Sequence, residues 1–211
     1  MGQFRSRWHV RVSRNFEVED WKALKFTAEA EWQKAVDIFD DRMNTRYLEH
    51  IEALLHRQTS GFAVLTLDCA LIETLEQFRR GTNKTPARRT GEYFVSFLTT
   101  TSFGSFFDAT MSYLFYESIR CGLHHQAEAG GSSRIKRGNG RPLVAYTADQ
   151  KGIVVNVERF HATLKEVLSS YIADLKNPGN IALRNAFRTK MNYICRIESQ
   201  DAEKAPPAEG T

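Results

Sequence analysis

In five stretches of the 211-residue chain, apolar side chains recur at steps of three and four residues. That spacing gathers them on one face of an α-helix. From Thr27 to Leu55 the row is Trp32, Val36, Phe39, Met43, Tyr47, Ile51, Leu54 and Leu55. Gly61–Phe78 carries Phe62, Leu65, Cys69, Ile72 and Leu75, and Leu67, Leu71 and Phe78 widen its apolar face, so this helix is expected at the centre. Phe106–Ala129 carries Phe107, Met111, Leu114, Phe115, Ile119 and Leu123. Glu158–Lys176 follows with Phe160, Leu164, Val167, Leu168, Tyr171 and Leu175, and Ile181–Ile197 with Leu183, Phe187, Met191 and Ile194. The expectation is a mainly α protein: an antiparallel helical bundle with a small β-hairpin and an N-terminal strand.

The connecting segments carry their own signals. Arg57–Gly61 interrupts the first periodic row, and Ser60 stands where it can cap the next helix. Gly81 and Pro86 break helix in Arg79–Thr90, and Tyr93, Phe94, Phe97 and Leu98 then predict a short aromatic helix. Gly130–Pro142 reads as a Gly-, Ser- and Arg-rich loop. Leu143–Tyr146 and Ile153–Val157 flank Asp149-Gln150-Lys151-Gly152 as a β-hairpin, and Asn156 leads into the next helix. Asn177-Pro178-Gly179 ends that helix. Phe4, Trp8, Val10 and Val12 alternate with Arg5, Arg7, His9 and Arg11, the period of an exposed strand. Residues 1–198 are expected to form a single domain, and Ser199–Thr211 a disordered tail.

Cys69, Cys121 and Cys195 are odd in number and scattered, which points to a reducing compartment rather than a disulfide framework or a structural zinc site. There is neither a membrane-spanning apolar run nor a secretory h-region, so the sequence implies a cytoplasmic protein with no membrane partner. The charge is uneven. Met1–Phe16 holds Arg5, Arg7, Arg11 and Arg14 without an acid. Arg79–Thr90 holds Arg79, Arg80, Lys84, Arg88 and Arg89, and Arg134–Arg141 holds Arg134, Lys136, Arg137 and Arg141, again without an acid. With those thirteen of the 29 Lys and Arg set aside, 16 remain against 25 Asp and Glu. If the three basic segments converge, they make a patch suited to a polyanion; otherwise they are solvated loops.

Reactive side chains concentrate in Phe115–Gly131, FYESIRCGLHHQAEAGG, where Gly130-Gly131 is expected to stop the helix. On an ideal helix Glu117, Arg120, His124 and Glu128 share one polar stripe, while His125 lies roughly 140° from Arg120, partly buried or facing a partner subunit. The plain alternative is a surface charge ladder, each contact worth about 0.2–0.5 kcal/mol. Glu73, inside the second long helix, reads as one turn pointing to solvent.

Arg120-Cys121-Gly122-Leu123-His124-His125 resembles the Arg-x4-His motif of HEPN domains (higher eukaryotes and prokaryotes nucleotide-binding), set near the end of a long helix in a helical chain. The likeness could extend over about Arg46–Leu175, but only its motif region is pointed. It implies a metal-independent endoribonuclease without cofactors, often a toxin or antiviral effector, acting as a homodimer and in some systems held by an antitoxin or defence partner protein. Arg120 and His125 would be the motif residues, with His124 a second candidate. Where the family often has Asn or Asp after the arginine, this chain has Cys121, which leaves open a catalytically silent RNA- or protein-binding module. In the nuclease reading Arg79, Arg80, Lys84, Arg88, Arg89, Arg134, Lys136, Arg137 and Arg141 track the RNA backbone. A helical scaffold protein is the third reading.

Overall fold

The structure is a computed structural model that describes residues 10–138 and 140–197. In chain order it contains α1 (Val18–Lys22), α2 (Glu29–Met43), a π-helical turn (Asn44–Leu48), α3 (Glu49–Leu55), α4 (Gly61–Arg80) and α5 (Thr90–Thr100). A 3₁₀ turn (Ser102–Ser105), α6 (Ala109–Leu114), a second π-helical segment (Phe115–Cys121) and α7 (Gly122–Gln126) follow. The strands β1 (Arg134–Lys136), β2 (Val144–Tyr146) and β3 (Ile153–Asn156) precede α8 (Val157–Lys176) and α9 (Ile181–Ile194). The fold is mainly helical with a small three-stranded sheet.

The helix expected over Thr27–Leu55 is continuous from Glu29 to Leu55, but a π turn interrupts its α geometry at Asn44–Leu48. The third long helix begins at Ala109 rather than Phe106, because Asp108 caps it: the Asp108 carboxylate accepts from the Met111 N–H at 2.7 Å. It ends at Gln126, four residues before Gly130, where Ala127 takes a left-handed φ of 54°. Ser60 does not cap α4. Its hydroxyl instead donates backward, to the carbonyls of Leu54 and Arg57 (2.7 Å to the latter). Asn156 does cap α8, accepting from the Arg159 N–H at 3.0 Å while its amide donates to the Gly138 carbonyl.

β1 lies inside the segment expected to be loop. Arg134–Lys136 pairs in parallel with β3, Arg134 opposite Val154 and Lys136 opposite Asn156. β2 and β3 form the expected antiparallel hairpin, Tyr146 opposite Ile153, and the sheet order is β1-β3-β2. Three residues with one apolar member carry no usable period, so the pairing comes from β3 rather than from β1's own pattern. Arg11 makes an isolated antiparallel bridge to Glu17, and most of the predicted N-terminal strand lies outside the described residues, as does the predicted tail.

The helix α4 is central, packing against α3, α5, α8 and α9. Its Val64, Leu65, Leu71, Ile72, Leu75 and Phe78 are fully buried or nearly so, each side chain contributing about 1.5–3 kcal/mol. Two aromatic groups build the core around it, the second through its own Phe78. Phe115 stacks on Phe160 with centroids 4.9 Å apart, and Phe103 and Phe107 close around them. Phe39 meets Phe78 at 4.8 Å and Phe187 at 5.4 Å, with Trp21 against Phe187. Described residues from Val12 to Cys195 share one hydrophobic cluster. Among them no helix is long and apolar enough to cross a membrane.

Candidate functional site

The α6–π–α7 helix lies against α4, and a cavity of about 230 Å³ opens between them. Thr66, Leu67, Cys69, Ala70 and Glu73 line it from α4, Arg120, Leu123 and His124 from the other side. Arg120 and His124 therefore share one concavity, as their common stripe predicts. The stripe itself is not a surface ladder. Arg120 lies in the π-helical segment, where the i−5 hydrogen-bond pattern makes each turn wider and rotates the side chains off the ideal α phase. Its Nη2 donates to Glu73 Oε2 of α4 at 3.3 Å, and both side chains are only about a fifth exposed. Glu73, expected to face solvent, is thus the carboxylate that holds the motif arginine.

His125 is exposed, which excludes the first of its two expected placements, partial burial within the chain. Its ring stands edge-on to His124 with centroids 5.0 Å apart. The helix terminates one residue later, and the loop behind it folds back closely: Gly130 N–H donates to the Ser118 carbonyl at 2.7 Å, and Glu128 N–H to the Gly122 carbonyl at 3.4 Å. Gly122 permits that return, because a Cβ there would lie 2.3 Å from the Glu128 carbonyl oxygen. Cys121 is half-buried. Cys69 is buried, and desolvation with the nearby Asp68 carboxylate holds its thiol well above the usual range, so it lines the site as an inert apolar group.

The two described basic loops do not converge. Arg134–Arg141 lies at the start of α4, where Ile135 and Arg137 pack at Gly61. Arg79–Thr90 leaves the other end, so the two are separated by most of a 20-residue helix, roughly 30 Å. Several of their charges hold structure. Arg79 and Arg80 both bind the buried Glu76 carboxylate, at 2.6 and 2.7 Å, and Arg80 also lies over the Tyr93 ring. Arg137 pairs with Glu158 and donates to the carbonyls of Leu55 and Arg57, closing the C-terminal end of α3. Arg89 pairs with Glu92, and Arg134 donates to the Gly131 and Ser133 carbonyls. Lys84, Arg88, Lys136 and Arg141 are exposed, with no ion pair among the described residues. In the N-terminal segment Arg14 pairs with Glu49.

A second polar pair was not expected from the sequence. Asp68 and His161 are buried between α4 and α8, with Asp68 Oδ1 2.8 Å from His161 Nδ1. Asp68 Oδ2 and His161 Nε2 meet no hydrogen-bond partner among the described residues. Desolvation raises the Asp68 carboxyl above its ordinary range, opposed by the hydrogen bond and charge of His161. The signal was present: Asp68 steps by three or four between Leu65 and Ile72, and His161 stands three before Leu164, so each polar residue occupies an apolar row.

Among the described residues no cluster of three His, Cys, Asp or Glu side chains is arranged to hold a metal ion. Comparison with known protein families, with curated proteins and with solved structures gives no match to this chain.

Proposed function

We propose that the protein is a metal-independent endoribonuclease of HEPN type, an antiparallel helical bundle around α4 that acts as a homodimer. The supporting observation is that Arg120 and His124 line one cavity although they come from differently wound parts of one helix. RNA brings its own nucleophile, the 2′-hydroxyl beside the scissile phosphate. His124 takes that proton, and the oxygen attacks phosphorus. Arg120, fixed by Glu73, stabilises the charge that develops on the phosphoryl oxygens. His125, whose ring centroid lies 5.0 Å from that of His124, returns a proton to the departing 5′-oxygen. The products are a 2′,3′-cyclic phosphate and a 5′-hydroxyl. A role as a toxin or antiviral effector, with an antitoxin or defence partner, belongs to the same reading.

Purified protein incubated with mixed RNA in EDTA is expected to yield cyclic-phosphate ends. Arg120→Ala, His124→Ala and His125→Ala should each reduce cleavage by about 10²–10⁴-fold. Cleavage untouched by all three substitutions overturns the assignment.

One observation favours a second reading. Glu73 already occupies one edge of the Arg120 guanidinium, as suits a silent module that binds RNA through its free basic residues. Steeply salt-dependent binding without cleavage would select it.

A further inference from the structure

A second groove, about 550 Å³ in volume, lies on the other side of the motif helix, between it and α5. Arg88, Gly91, Glu92, Tyr113, Tyr116 and Glu117 are among the residues that line it. Tyr113 is 55% exposed, the most exposed aromatic ring among the described residues. Tyr116 forms the floor, packed so closely on Gly91 that an added Cβ there would meet its ring at 3.1 Å. The two tyrosine centroids are 6.5 Å apart. Tyr116 also joins the groove to the candidate site, since the Arg120 guanidinium carbon lies 6.0 Å from its ring centre.

We infer that this groove is the subsite for an unstacked guanine base of single-stranded RNA, next to the phosphate held by Arg120; the inference rests on the RNA reading above. Three kinds of group converge there. Tyr113 offers a π-face, and base–aromatic stacking is the usual source of affinity for unpaired nucleotides. Glu117, four residues on, is exposed and has no ion pair among the described residues, whereas Glu92 is taken by Arg89. A free carboxylate accepts two adjacent N–H donors, and guanine alone among the RNA bases presents two, N1–H and the N2 amino group, on its pairing edge. Arg88, exposed and held in a left-handed conformation at φ 64°, supplies a cation for the adjoining phosphate.

The test uses the full chain and 2′-O-methyl oligonucleotides, which lack the nucleophile and so bind without being cut. Binding is followed across a salt series for a guanine-containing and an all-pyrimidine single strand. Tyr113→Ala is expected to weaken binding of the guanine strand about tenfold and leave the salt slope unchanged. Arg88→Ala should lower that slope by about 0.7. Glu117→Gln should narrow the preference for guanine. These side chains are exposed, so circular dichroism of the variants should match the parent. Parental binding by Tyr113→Ala and Glu117→Gln overturns the subsite while leaving the nuclease intact, as does failure of the parent to bind at low salt while cleavage persists. Tyr113-dependent guanine binding without cleavage of ordinary RNA upholds the subsite and overturns the nuclease.

Discussion

Glu31 shows how much a single half-buried side chain can organise. It is the third residue of α2, and its carboxylate accepts from the backbone N–H groups of Lys25 (2.9 Å), Thr27 (2.7 Å) and Ala28 (3.3 Å). Those bonds draw its pKa from the ordinary 4.5 down to about 2. Because the folded value is depressed, the stabilisation is fully present above about pH 4.5 and disappears as pH falls toward about 2. Glu31→Gln should therefore lower the urea midpoint at neutral pH, with the gap from the parent closing on acidification; a gap independent of pH would refute the assignment. The capping pattern was readable here, since an acid in the first turn is a common start signal. The acceptor role toward residues as far back as Lys25 was not, because it depends on how the preceding chain turns.

At the scale of the element, the motif helix departs most from ideal geometry. Periodicity placed it and its apolar face, yet the π-helical winding of Phe115–Cys121 redirects Arg120 to Glu73, and termination at Gln126 leaves both histidines in solvent. Gly122 has ordinary helical dihedrals, φ −58° and ψ −51°. Its lack of a side chain makes room for the returning loop. Gly122→Ala must displace the Glu128 or Gly130 backbone, a change expected to cost about 1–3 kcal/mol in urea denaturation. In the nuclease reading cleavage should fall with it, since the histidines follow directly. Parental stability would mean that the loop yields freely.

For the whole molecule, the decisive feature is α4 together with two aromatic groups of the core, one of which includes its own Phe78. Phe160 is fully buried and ties α8 to Phe103, Phe107 and Phe115. Phe160→Ala is expected to lower stability by about 3–5 kcal/mol, seen as one cooperative transition with coincident near- and far-ultraviolet signals. Loss of only one region's signal would show that the two aromatic groups unfold separately. The same helix keeps the two described basic loops apart, one at each end. A bound strand would therefore meet separate cations along its path rather than one patch.

The amino-acid sequence determined the helices, their buried faces and the pairing of β2 with β3, because these depend on local periodicity and turn chemistry. It also brought Arg120, His124 and His125 to one helix end. Only the tertiary structure decided what that end faces. Glu73 is 47 residues from Arg120, β1 needed β3 to become a strand, and Asp68 required α8 to bring His161. Each of these contacts is set by how long helices cross, and a one-residue change in helical phase is enough to send a side chain to a different neighbour.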